Sequence, residues 1–214
     1  LLLLLAAFIG TVGGLWHGGA LRHFARIPFR WPAIVLAGLI VRAVAFSPVV
    51  RHDGLAIALY VTALACLSVG IALNRRIAGI ELVLLGLILN AVVILANGGA
   101  MPVSSDALRL VGRYDYALAL RAEGPLGHSE LATPDTVLRP LADIIPLSPL
   151  PPFQTVASVG DLFIAAGVLV IFYIGTLRPF PRPVAPPSGT PRPVPTPVGA
   201  ARGKGERENV DIPA

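Results

Sequence analysis

LNAVVILANGGAMPVSSDAL, residues 89–108, decides how the chain is read. An apolar run carries Asn90, stops on Asn97-Gly98-Gly99, and passes into Met101-Pro102-Val103. Two consecutive glycines accept the left-handed backbone that ends a helix, and Pro102 lacks the N–H needed to restart one. The stretch therefore predicts an apolar helix that leaves a membrane near residue 97 and enters an ordered segment outside it. Asn90 and Asn97 stand seven positions apart, two helical turns, so they share one face. An amide in hydrocarbon must be hydrogen-bonded, which turns that face into a helix bundle. On this reading Asn90 joins helices and Asn97 caps its own.

Composition supports a membrane setting. Of 214 residues, 55% are hydrophobic and only 14% charged, against about a quarter charged in soluble domains. Mean hydropathy is +0.75. The apolar residues gather into runs at about 1–16, 32–50, 54–73, 78–97 and 159–177, each near the roughly 20 residues that cross about 30 Å of hydrocarbon. The expected fold is thus an all-α integral membrane protein, a bundle of about five transmembrane helices. Four would lie in 1–97, an extracytoplasmic segment in 98–158, and the fifth helix in 159–177.

Charge sets the expected orientation. Arg22, Arg26 and Arg30 follow the first run, Arg75-Arg76 the third, and Arg178 and Arg182 the fifth. With alternating spans all three clusters fall on one side, which the positive-inside rule makes cytoplasmic. The N-terminus and 98–158 then lie outside and the C-terminus inside. Residues 1–16 lack the basic start and small-residue cleavage site of a secretory signal, so they read as a first membrane helix. Residues 178–214, rich in proline and basic residues, predict a disordered cytoplasmic tail.

The outer segment mixes charge with apolar residues and should fold. Residues 105–122 predict a short helix with Leu108, Val111, Leu118 and Leu120 on its apolar face. Pro146, Pro149, Pro151 and Pro152 make 146–152 extended or turning, and this run should lie across the junction of the fourth and fifth spans, where Asn97 bonds its exposed backbone.

Several residues bear on chemistry. Arg42 lies two turns inside the second span, where a guanidinium snorkels or pairs; Asp161 and Asp143 are the carboxylates within reach. Ser158-Val159-Gly160-Asp161 has the spacing of a capping box, in which serine and acid satisfy the first N–H groups of a helix. The net charge of +5 is spread over span ends and tail, which argues against a nucleic-acid face. Nucleotide and dinucleotide loops are absent, a lone Cys66 excludes an internal disulfide, and no metal-type spacing occurs, so neither cofactor nor metal is expected.

ANGGAMPV, LADIIPL and SVGDLFIAAGVL, with NRR at the inner end of the third run, resemble an uncharacterised bacterial family of small polytopic membrane proteins, a domain of unknown function. That resemblance implies a bacterial plasma membrane and the topology above, and no reaction. PPFQTVASVGDLFIAAGVLVI and GGAMPVSSD are also similar to stretches of signal peptidase II, an aspartyl peptidase. This second resemblance implies Asp106 and Asp161 as a catalytic pair, with Asp143 and Asp161 the alternative. The leading expectation is a non-enzymatic membrane protein: a scaffold, a partner subunit or a lipid-associated factor, with membrane lipids and a membrane protein as partners. The other is an intramembrane aspartyl hydrolase acting on a lipid-linked or peptide substrate.

Overall fold

The computed structural model describes residues 1–45, 54–126, 128–148 and 154–177. The expected tail, the turn at 49–53 and prolines 149, 151 and 152 lie outside them. The chain is mostly helical, as composition predicts. Five apolar helices are α1 (Leu2–Trp16), α2 (Pro32–Ala45), α3 (Gly54–Ala72), α4 (Ile80–Ala96) and α7 (Val159–Leu177); α5 (Ser105–Leu110) and α6 (Tyr114–Glu123) belong to the outer segment. Each apolar helix falls within one of the five runs.

Five full-length spans are not found. Among the described residues, by length and composition, only Val159–Leu177 is long and apolar enough to cross a membrane, while Leu2–Trp16, Pro32–Ala45, Ala58–Ala72 and Ile80–Ala96 form shorter apolar stretches. The 15 residues of α1 cover about 22 Å at 1.5 Å per residue. Local chain reversals set the limits: α1 runs out at His17 and Gly18, the latter at φ +83°. At the start of α4, Gly79 takes φ +91° where a side chain is strained.

Glycine also governs the packing, and α7 is its hub. Gly10 and Gly14 of α1 bring their backbone onto the Leu169–Thr176 part of α7, and a Cβ at either would clash with it. Gly79 and Gly86 of α4 do the same opposite Gly167 and Gly160. Close backbone approach over small residues is how helices associate where hydrophobic burial adds little. Next to α7 a 3-10 turn (Leu21–Arg26) anchors the chain after α1: Thr176 carbonyl accepts from Ala20 N–H at 2.9 Å and approaches His23 Nδ1 at 2.6 Å. Across from it, buried Asn74 clamps the Arg30 peptide, accepting from its N–H at 2.7 Å and donating to its carbonyl at 2.9 Å.

The outer segment is a small folded cap. Strand β1 (Met101–Val103) pairs in parallel with β2 (Ser129–Leu131), and β3 (Ile145–Ser148) pairs antiparallel with β4 (Thr155–Ala157) across an irregularity between Pro146 and Ser148. A proline is tolerated in so short a two-stranded ladder because it occupies an edge. The single helix expected over 105–122 is two, since Gly112 turns the chain at φ +76° between α5 and α6. Val103, Leu108, Ala117 and Leu120 form the core of the cap. Leu118, expected on the apolar face, is exposed because the break rotates α6 relative to α5.

Candidate functional site

The stop at the end of α4 positions the site. Gly98 and Gly99 both take left-handed φ, +72° and +102°. Asn97 donates from Nδ2 to the Val93 carbonyl at 2.8 Å, closing the helix, and to the Val137 carbonyl at 3.0 Å. Its Oδ1 accepts from Val137 N–H at 2.9 Å. The partner found is Val137, in the loop before the 3-10 turn Arg139–Leu141; of the proline-rich run 146–152 that the sequence suggests, residues 149–152 lie outside the described residues. Leu138, next to it, takes φ +54°, so the loop turns back on the amide.

Met101 and Pro102, both buried, then act through their backbone. Met101 N–H donates to the His128 carbonyl at 2.7 Å. Pro102 carbonyl accepts from Asp143 N–H at 3.0 Å, and Ser104 N–H donates to the Asp143 carbonyl at 2.9 Å. Three residues of extended chain thus hold His128 on one side and Asp143 on the other. Beneath them Met101 packs with Tyr60, Val93 and Ile94, tying the cap to α3 and α4.

At the α4–α7 junction the polar groups close on each other. Asn90 Nδ2 donates to Asp161 Oδ1 at 2.8 Å, and Ser158 Oγ donates to Asn90 Oδ1 at 2.8 Å. Ser158 N–H reaches Asp161 Oδ2 at 3.2 Å, while Asp161 N–H reaches Ser158 Oγ at 2.9 Å. The last two bonds are the reciprocal pair of a capping box. Only glycine at 160 leaves room for Asn90 to reach across, since a Cβ there would overlap its amide. Ser158 is fully buried, so each of its bonds replaces one to water that the fold denies it.

Asp143 stands apart electrically. Burial, and then the charge of Asp161, push its carboxyl from 3.8 up to about 7. Its Oδ1 is buried and has no hydrogen-bond partner among the described residues. His128 has the opposite bias: desolvation and the Arg42 charge lower it, offset in part by Asp161, although the residue keeps an exposed surface. Arg42, Asp161, Asp143 and His128 therefore share one electrostatic neighbourhood. Arg42 lies over the buried Tyr60 ring at 6.0 Å.

Two cavities flank this neighbourhood. One, about 390 Å³, runs between the helices along Leu39, Leu67, Leu87 and Val168, with Arg42, Tyr60, Asn90 and Asp161 among its walls. The other, about 360 Å³, opens in the cap and is lined by Arg113, Tyr116, His128, Ser129, Asp143 and Gln154 together with apolar side chains.

Of the residues singled out in the sequence, Asn90, Ser158 and Asp161 form one bonded network, and Arg42 lines a cavity with Asp161. Asp143 is near enough to feel the Asp161 charge. Asp106 is exposed on the first turn of α5 and lines neither cavity. Sequence reasoning passed over Tyr60, which reads as one more apolar residue of α3, and His128, an isolated histidine in a loop. Asn74 read only as part of a basic turn, although its two-way bonding to a distant peptide parallels that of Asn97. Among the described residues no group of three or more His, Cys, Asp or Glu is placed to hold a metal ion.

No curated protein and no solved structure matches the chain. A family profile does, over residues 26–173, from the end of the 3-10 turn after α1 into the last turns of α7. That interval holds Arg42, Tyr60, Asn90, the Met101–Val103 strand, His128, Asp143 and the Ser158–Asp161 cap. The chain belongs to DUF5317, a family of unknown function.

Proposed function

We propose that this is a bacterial plasma-membrane protein, all five apolar helices spanning the bilayer, that binds a lipid or lipid-linked molecule between them. It is a lipid-associated factor rather than an enzyme. The observation that carries the reading is the interhelical cavity of about 390 Å³, apolar along its length and furnished with Arg42, Tyr60, Asn90 and Asp161. Ligand sites are concave, mostly apolar and fitted with a few polar groups, at about 300–1,000 Å³. At about 30 Å³ for a water-sized group, this one holds a single chain of about a dozen methylenes.

The membrane part has its own support. Leu4, Phe8, Leu36, Leu39 and Ile40 are large, apolar and exposed on α1 and α2, an arrangement that water penalises and lipid does not. Trp16 and Trp31 are exposed near the basic clusters, where aromatic residues favour a membrane interface. Short spans are accommodated by local bilayer thinning. The basic clusters favour an N-terminus and cap outside and a C-terminus in the cytoplasm.

The test is native mass spectrometry of the full chain extracted from its membranes. Wild type should retain a lipid. Val168→Trp, which fills the cavity, should release it while the chain stays folded. Equal retention by both proteins would overturn the reading.

A second reading has one observation in its favour. Asp143, raised to about 7 by burial and then by the Asp161 charge, is a carboxyl biased toward the protonated form that a general acid needs. In an aspartyl hydrolase Asp161 would take a proton from water and Asp143 would give one to the leaving group. Loss of lipopeptide cleavage in a folded Asp161→Asn variant would favour this reading over the first.

A further inference from the structure

The outer cavity carries a charge problem that the protein itself does not solve. Asp143 lines it with one oxygen buried and unpartnered among the described residues. The nearest influences on that carboxyl are burial and a second carboxylate, Asp161, both of which oppose its ionisation. His128, on the same wall, is biased toward its neutral form. That oxygen is closed to solvent, so a ligand in the cavity would meet the rest of the half-buried carboxyl.

On the same cavity Arg113 supplies the opposite charge. Its guanidinium lies over the Tyr116 ring at 4.9 Å. Its contact with Asp115 is long, 4.0 Å, and that carboxylate is 82% exposed, so it is weak competition for a better anion. A guanidinium is suited to bind phosphate oxygens in pairs. The cavity is thus lined by a half-buried carboxyl, Asp143, and a guanidinium, Arg113, in a volume of about 360 Å³.

We propose that the outer cavity binds an ammonium–phosphate zwitterion of the phosphoethanolamine type, its ammonium against Asp143 and its phosphate against Arg113. The proposal deepens the lipid reading, and rests on it for the source of the group: an aminophospholipid headgroup rather than the free compound. A neutral headgroup such as glycerol lacks the cation and leaves Asp143 as it is. Because the ammonium favours the carboxylate, binding displaces the Asp143 proton into solvent. Arg42, Asp161, His128, Arg113 and Tyr116 are the titratable and charged groups around the site.

The experiment uses the full chain in detergent at pH 6 and isothermal calorimetry. Probes are short-chain phosphatidylethanolamine, short-chain phosphatidylglycerol and free phosphoethanolamine. The ethanolamine lipid should bind at least tenfold more tightly than the glycerol lipid. Its heat should vary with the buffer's ionisation enthalpy, reporting close to one proton released. Asp143→Asn should abolish both the preference and the proton while leaving the glycerol lipid unaffected. Arg113→Gln, on a partly exposed side chain, should weaken both lipids severalfold without removing the proton signal. Equal affinities for the two lipids, or an Asp143→Asn variant that keeps the preference, would overturn the proposal. If Val168→Trp then still lost both lipids, the lipid reading would survive that failure. Tight binding of free phosphoethanolamine that depends on Asp143, with no lipid binding at all, would uphold this site and overturn the lipid reading.

Discussion

Replacing Asp143 with Asn should stabilise the protein at pH 8, and the gain should shrink as pH falls. The carboxyl rises from 3.8 to about 7 on folding, first through burial and then through the Asp161 charge. Between those values the folded protein holds a proton that the unfolded chain has released. Stability therefore falls as pH rises from about 4 to 7 and is level beyond. The interval of about three pH units, at about 1.4 kcal/mol each, sets an upper limit of about 4 kcal/mol. The substituted asparagine would carry no charge but would still bury an amide without a full set of partners, costing about 1–3 kcal/mol. The variant should gain about 1–3 kcal/mol at pH 8 and lose about 1–3 kcal/mol near pH 4, where only the cost of the amide remains. At roughly 2–4 °C per kcal/mol for a chain of this size, the midpoint at pH 8 should rise by several degrees. Thermal unfolding of both proteins in detergent, followed by tryptophan fluorescence from pH 4 to 9, measures this. Parallel pH profiles would refute the argument. Asp161→Asn supplies an internal check: it removes the second cause and leaves the first, so the falling part of the profile should shift to lower pH without vanishing.

In a Cys66→Ala background, a membrane-impermeant thiol reagent applied outside should label a cysteine at Asp115 and spare one at Ser188; the opposite pattern would invert the topology. Asn97→Ala breaks the bonds to Val93 and Val137 and should cost about 1–3 kcal/mol, read as a lower unfolding midpoint and faster proteolysis of the cap. Gly86→Leu forces a side chain against Gly160 and Ile164 and should destabilise by about 1–3 kcal/mol or more, seen as loss of folded protein on size exclusion.

The parts legible in the sequence are those set by neighbours in the chain. Gly98-Gly99 and Pro102 announce a stop because their backbone preferences are intrinsic, and Ser158 with Asp161 announces a cap because three-residue spacing is enough. The five apolar helices follow from composition, though their lengths do not always, since a turn such as Gly79 starts α4 inside its apolar run. What escaped is held by distant contacts. Nothing local says that Asn97 will clasp Val137, or that Met101–Val103 will suspend His128 and Asp143 by backbone bonds alone. Tyr60 gains its meaning only from Arg42 on the adjacent helix. Asp106, named by likeness to another sequence, stands exposed because α5 turns its first residues outward.

The pairing of α1 and α4 with α7 sets a timetable for biogenesis. α2 and α3 are neighbours in the chain and meet as soon as both are inserted. α1 instead finds its glycine-matched surface on a helix about 140 residues downstream, a wait of roughly 7 to 30 s at about 5–20 residues per second. Gly10 and Gly14 have no α7 against them for all of that interval, and Gly79 and Gly86 for its last roughly 3 to 12 s, the time to make about 60 residues. The newborn chain therefore passes through a stage in which these glycine surfaces are bare, until Val159–Leu177 packs against them and covers all four.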